Sequence, residues 1–193
     1  MQLILASKSK ARIKMLKNAG ICFETLPAEI DERKVYKETA EPFQIAEKLA
    51  EKKAQAVSLL YPDALVIGAD QVLEFEGEVF TKASGKNEAI ERLLAMSGRE
   101  HKLVSSVALC QFGKKKWIYT DTASMVMPEL GRNFLRDYSN RAGSALVDTV
   151  GGYEIEGVGL QLFKDIRGDF FTVMGMPLLP LVNQLRKLGI LQK

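Results

Sequence analysis

Asp70, Lys53 and the turn Ser7-Lys8-Ser9-Lys10-Ala11-Arg12 are the residues whose types and spacing could do chemistry on a polyanion. Asp70 follows the apolar run Ala64-Leu65-Val66-Ile67, with Gly68 and Ala69 in between. Such a run reads as a buried strand. Gly68-Ala69 reads as its break, so Asp70 stands where an open α/β sheet delivers an acid to the mouth of a cleft. An aspartate that merely starts a turn after a strand fits the same stretch equally well. The Ser7–Arg12 turn joins a strand to a helix and offers backbone N–H groups, hydroxyls and cations together, which is what a phosphate needs. An ordinary helix capped by Ser9, with Lys8, Lys10 and Arg12 in solvent, fits it too. Lys53 falls where an apolar residue belongs on its helix. It therefore either snorkels to water or meets a phosphate or carboxylate.

The elements that must carry these groups follow from periodicity. Leu3–Ala6 reads as a strand, followed by a helix with Ile13, Leu16 and Ala19 on one face and Gly20 at its end. Ile21–Leu26 reads as a second strand, and Asp31-Glu32 as a polar loop. Pro42 suits the first turn of a long helix with the stripe Ala46, Leu49, Ala50, Val57 and Leu60. Gln71–Phe75 and Glu78–Phe80 flank Glu76-Gly77 as a hairpin. A helix capped by Ser84 carries Ala89, Leu93 and Met96 to Gly98. Leu103–Phe112 and Lys116–Met127 read as long strands around Gly113-Lys114, and Leu130–Tyr138 as a short amphipathic helix. The glycine-rich stretch Val150–Gly159 reads as a loop lying close to a ligand. It lacks the dinucleotide fingerprint. Leu160–Phe163, Phe163–Ile166 and Phe170–Val173 read as strand-like, and Pro177 opens a final helix through Leu178, Leu181, Leu185 and Leu188. Alternating helices and strands followed by a strand-heavy middle predict a mixed sheet.

Composition narrows the class. The 193 residues are 47% apolar and 26% charged, enough for one sizeable core, with no internal repeat or linker, so residues 1–193 are expected to form a single domain. The net charge of +3 is interspersed, and Lys114-Lys115-Lys116 fits a solvated hairpin tip better than a nucleic-acid patch. Cys22 and Cys110 read as buried thiols. A single histidine, His101, excludes chemistry that needs two and reads as structural. No apolar run approaches the ~20 residues of a membrane span, which places the chain in the cytoplasm.

Seven short motifs occur in a fixed order: Leu5-Ala6-Ser7-x-Ser9; Leu49-Ala50-x-x-Lys53-Ala54-x-Ala56-Val57; Ile67-Gly68-Ala69-Asp70; Phe80-x-Lys82; Leu94-x-x-x-Ser97-Gly98-Arg99-x-His101; Gly152-Tyr153-x-Ile155-x-Gly157; and Gly168-Asp169-x-x-x-Val173-x-Gly175-x-Pro177-Leu178. Together they resemble the Maf family of nucleoside triphosphate pyrophosphatases, from residue 3 to about the final helix. The resemblance implies an α/β fold in which a long, twisted mixed sheet links two lobes around a central cleft, as in the inosine triphosphatase-like group. It implies hydrolysis of a nucleoside triphosphate between the α and β phosphates with a divalent metal, Mg²⁺ or Mn²⁺. The family's general base falls on Asp70, its phosphate-binding positions on Ser7, Arg12, Lys53 and Lys82, and an acidic metal or water partner on Glu32, so that Asp70 and Glu32 form the metal set. The residues read independently supply the same chemistry: cations for the phosphates and a carboxylate for water.

The sequence departs from the family where the base is selected. Lys10 replaces a proline and Ala11 an arginine of the first motif, leaving Arg12 alone. The base-selective positions of the dTTP and UTP branch are Ala11, Gln71 and Glu156 here. Gln71 and Glu156 look instead like the branch that hydrolyses 7-methylguanosine triphosphate, which carries a tryptophan in place of Ala11. Three readings follow. One is a house-cleaning pyrophosphatase acting on a modified purine nucleotide. The second keeps the chemistry and acts on inosine or other altered triphosphates. The third is a non-catalytic nucleotide- or nucleic-acid-binding regulator of cell division, as the family's description as septum-formation proteins would allow. The expected partner is the nucleotide, without membrane or nucleic acid, and a homodimer is left open.

Overall fold

Leu65, Val66 and Ile67 are at most 1% exposed, and they lie in a strand longer than their apolar run suggested. The computed structural model describes residues 1–192. Its elements run β1 (Leu3–Leu5), α1 (Lys10–Asn18), β2 (Glu24–Thr25), α2 (Glu32–Glu38), α3 (Pro42–Leu60), β3 (Leu65–Phe75), β4 (Glu78–Phe80), α4 (Lys86–Met96), β5 (Glu100–Gln111), β6 (Lys114–Val126), α5 (Arg132–Ala142), α6 (Ala145–Asp148), a 3-10 helix (Val158–Leu162), β7 (Asp165–Arg167), α7 (Phe170–Val173) and α8 (Leu178–Lys187). The strands form one mixed sheet in the order β2-β1-β3-β5-β6-β7, with β4 also paired to β3. β1 is parallel to β2 and β3, while β4 and β7 pair antiparallel with β3 and β6. The mixed α/β class expected from the sequence is the class observed.

The chain divides into two compact units. The first comprises Met1–Gln71, Val104–Asp121 and Asp169–Lys193. Its core alternates along the strands with period two. Leu3, Leu5, Leu65 and Ile67 pack with Met15 and Leu16 of α1 and Leu181 and Leu185 of α8. Ile4 and Val66 pack with Ala54 and Val57 of α3. The second unit comprises Val72–Leu103 and Thr122–Gly168 and holds the β3–β4 hairpin, which turns at Glu76 (φ 53°) and Gly77 (φ 85°).

Several sequence expectations change. Gly68-Ala69 does not break β3, and Asp70 lies inside the strand. Glu32 is not in a loop: it opens α2, whose Val35 is fully buried, but one buried residue in seven leaves little periodicity to read. Phe170–Val173 is a helix because the Asp169 carboxylate accepts from Thr172 N at 2.8 Å, a cap that outweighs the strand propensity of the run. Leu160–Phe163 lies in and just after the 3-10 helix. β2 is two residues long, and Gly85 rather than Ser84 stands at the start of α4, since Ser84 donates to Glu88 instead. Cys22 is exposed, whereas Cys110 is the buried thiol, pushed up to about 11 by burial. No described helix is long and apolar enough to cross a membrane.

Candidate active site

Strand alternation decides which way Asp70 points. Val66, Gly68 and Asp70 share the face of β3 covered by α3, and Ile67, Ala69 and Gln71 share the other. Gly68 is required on that face: a Cβ there would overlap the Ala50 carbonyl oxygen and lie 2.6 Å from Ala54 N. The α3 backbone therefore rests on β3, and Lys53, beside Ala54, is carried to Asp70. Its Nζ contacts Asp70 Oδ1 and lies 2.7 Å from Glu32 Oε1. Lys53 thus meets carboxylates and does not run freely to water; its side chain is 14% exposed and that of Asp70 10%. Burial raises the Asp70 pKa above the usual carboxylate range, against the pull of Lys53 and Arg12, and Glu32 adds to the rise.

The β1–α1 turn contributes on the same unit. Ser9 caps α1, accepting from Arg12 N at 3.4 Å. Arg12 does not point into solvent. Its Nε donates to Gly175 O and its Nη1 to Ala69 O, each at 2.9 Å, which pins the guanidinium next to β3. Burial lowers its pKa from the ordinary arginine value, opposed by Asp70 and Glu32. Ser7, 8% exposed, accepts from Ser9 N at 3.2 Å and from Arg12 Nη1 at 3.5 Å, so its O–H stays available to donate.

Ser7, Arg12, Glu32, Lys53 and Asp70 are therefore brought together. Tyr36 joins them and was missed. It lies one helical turn after Glu32 on α2, and burial together with the negative Asp70 and Glu32 holds its phenol well above its usual pKa. A helical reading of residues 32–38 would have found it. Gln71 faces the opposite side of the strand. Its Nε2 donates toward Ser105 Oγ, Thr172 O and Val173 O, each at 3.0 Å, leaving Oε1 as its acceptor, on the side of Gly175. Ser105 and Thr172, also missed, hold this arrangement: Ser105 Oγ donates to Thr172 O at 2.7 Å, and Thr172 Oγ1 donates to Asp121 at 2.8 Å. Ala11 is half-buried at the start of α1.

Lys82 and Glu156 belong to the second unit, where both are exposed. The glycines near Glu156 answer to local packing. A Cβ on Gly159 would lie 2.9 Å from Tyr153 Cβ, and Gly151 is crowded by the Tyr153 ring. His101 is structural: 1% exposed, it places Nε2 at 2.7 Å from the Tyr153 hydroxyl, and burial lowers its pKa to about 4.

The whole chain is similar to proteins of one family. The profile of the Maf-like proteins matches residues 2–188. A 7-methyl-GTP pyrophosphatase of Bartonella quintana is 46% identical over 98% of this chain and 96% of its own. A nucleoside triphosphate pyrophosphatase of Rhodopseudomonas palustris is 46% identical over 98% of this chain and 95% of its own. A 7-methyl-GTP pyrophosphatase of Brucella abortus is 45% identical over 96% of each chain. With a profile match across residues 2–188 and relatives of 45–46% identity over nearly its whole length, the chain belongs to the Maf-like protein family.

Proposed function

We propose that this protein is a nucleoside triphosphate pyrophosphatase that hydrolyses the α–β phosphate bond and acts best on a purine or modified purine nucleotide such as 7-methyl-GTP. The observation that carries the reading is the buried carboxylate Asp70 held against Lys53 and Glu32 at the edge of a phosphate-type turn. The names of its full-length relatives support it. Because the family match runs through both compact units, the chain is read as a single functional domain.

Attack of water on a phosphoryl group needs positioning and charge stabilisation more than covalent chemistry. Asp70, with its pKa raised by burial, is suited to orient water and take its proton. Ser7 Oγ–H, Arg12 through Nη2, Lys53 and Lys82 are the phosphate donors, and the free N–H groups at the start of α1 add to them. Arg12 is fixed before substrate arrives by Ala69 O and Gly175 O, so it loses little freedom on binding.

The donor set also fits a divalent metal. Asp70 and Glu32 offer hard carboxylate oxygens around one cation, the Lys53 ammonium, and Mg²⁺ is commonly held by one or two carboxylates plus substrate phosphates. Among the described residues no cluster of three or more metal-binding side chains exists. When bound, Mg²⁺ or Mn²⁺ supplies charge stabilisation at the phosphoryl oxygens.

Base choice rests on acceptors. The Gln71 amide spends its Nε2 on Thr172 O and Val173 O and keeps Oε1 as an acceptor, and Glu156 is a carboxylate; both suit the N1 and exocyclic N–H donors of guanine. Ala11 leaves room for a larger base. The setting is cytoplasmic turnover of free nucleotides, with self-association as a homodimer the one partnership included. A triphosphate panel with Mg²⁺ and Mn²⁺, scored by pyrophosphate release, tests the reading: 7-methyl-GTP and GTP should lead dTTP and UTP. Binding without pyrophosphate release from any member would overturn it.

A further inference from the structure

We propose that Lys53 is the resident counter-ion of the divalent-cation site, and that it leaves Asp70 and Glu32 for the substrate's phosphates when metal takes its place. Metal and nucleoside triphosphate then bind with positive coupling, and Lys53 is the residue that couples them. This rests on the pyrophosphatase reading above.

Three features carry it. First, the Lys53 Nζ occupies the space between the two carboxylates, contacting Asp70 Oδ1 and lying 2.7 Å from Glu32 Oε1. An ammonium and a metal ion cannot both fill that space, because two cations there would repel across a few ångströms. Second, the two basic residues of the site differ in freedom. Arg12 is anchored to the carbonyls of Gly175 and Ala69, whereas the partners of Lys53 among the described residues are the two carboxylates alone. Lys53 is the cation free to move, on a flexible four-carbon stem. Third, the carboxylates are unequally held. Asp70 is fixed within β3 with its side chain 10% exposed, while Glu32, at the first position of α2, is 47% exposed and can open.

The consequence is an exchange of partners. Without nucleotide, metal must displace an ammonium that has only water to go to, and it leaves that charge beside itself. With a triphosphate present, the displaced ammonium finds phosphate oxygens. Each ligand therefore raises affinity for the other by the same factor.

The test is Mn²⁺ binding without nucleotide, followed by the electron paramagnetic resonance signal of free Mn²⁺ on the folded chain. Lys53→Met keeps the stem and removes the charge, so it should bind Mn²⁺ about tenfold or more tightly than wild type, within the span usual for coupled sites. Lys53→Arg should stay near wild type, and adding Glu32→Gln to Lys53→Met should cancel the gain. Should Lys53→Met be marginally folded, the rise of its Tm with Mn²⁺ carries the same information and should exceed that of wild type. Mn²⁺ binding to Lys53→Met no tighter than wild type overturns the exchange, even if wild type releases pyrophosphate. Tightened Mn²⁺ binding with no pyrophosphate release by wild type upholds the exchange and counts against the catalytic reading alone.

Discussion

The backbone of Ala50 lies so close to Gly68 that a Cβ on Gly68 would overlap the Ala50 carbonyl oxygen. This close approach, two residues before Asp70 along β3 and three before Lys53 along α3, sets the distance between that strand and that helix. Gly68→Ala should push α3 off β3, costing about 1–3 kcal/mol as overpacking does. It should also lower kcat by separating Lys53 from Asp70. Chemical denaturation and steady-state kinetics on the same sample check both.

Asp70→Asn removes the proposed base without changing shape. It should keep the fold and nucleotide binding while lowering kcat by at least ~10²-fold, the scale of a lost general base. Near-full turnover by a folded variant would exclude the role.

Lys53→Met separates a phosphate ligand from an amphipathic structural lysine. Transition-state stabilisation should fall by ~1.5–3 kcal/mol, the range for a hydrogen bond to a charged group, read as kcat/KM. Unchanged kinetics with unchanged stability would remove Lys53 from the site.

His101 should impose a pH dependence on stability. Burial holds its folded pKa at about 4 against 6.5 when unfolded, so the unfolded chain binds the proton first. Its contribution is whole above pH 6.5 and is lost as pH falls from there toward 4, about 3 kcal/mol in all. In His101→Gln this part of the acid slope should vanish. Urea unfolding at pH 7 and pH 5 measures it.

Glu156→Gln should move base preference toward pyrimidines, because an amide can rotate to offer the donor that a carboxylate lacks. The measurement is kcat/KM for 7-methyl-GTP, GTP, UTP and dTTP on both proteins. An unchanged order would show that Glu156 does not read the base.

By itself the sequence determined the local part of this protein. The buried run at Leu65–Ile67, the Ser9 cap, the long helix from Pro42 and the Glu76-Gly77 turn are written in period and turn chemistry, and the structure has all four. It also placed a lysine on the inner side of α3, though not what that lysine meets. Tertiary structure decided the rest. Gly68 looked like a strand break because local sequence cannot reveal that a helix backbone lies against it. Glu32 looked like loop because α2 is a short helix held by a single buried valine. Arg12 fitted a phosphate turn or a solvent-facing helix start equally, and the carbonyls that hold it lie 57 and 163 residues away. Spacing in sequence reports only neighbours within a turn or a strand; a buried charge is positioned by groups that chain folding alone brings within hydrogen-bond reach.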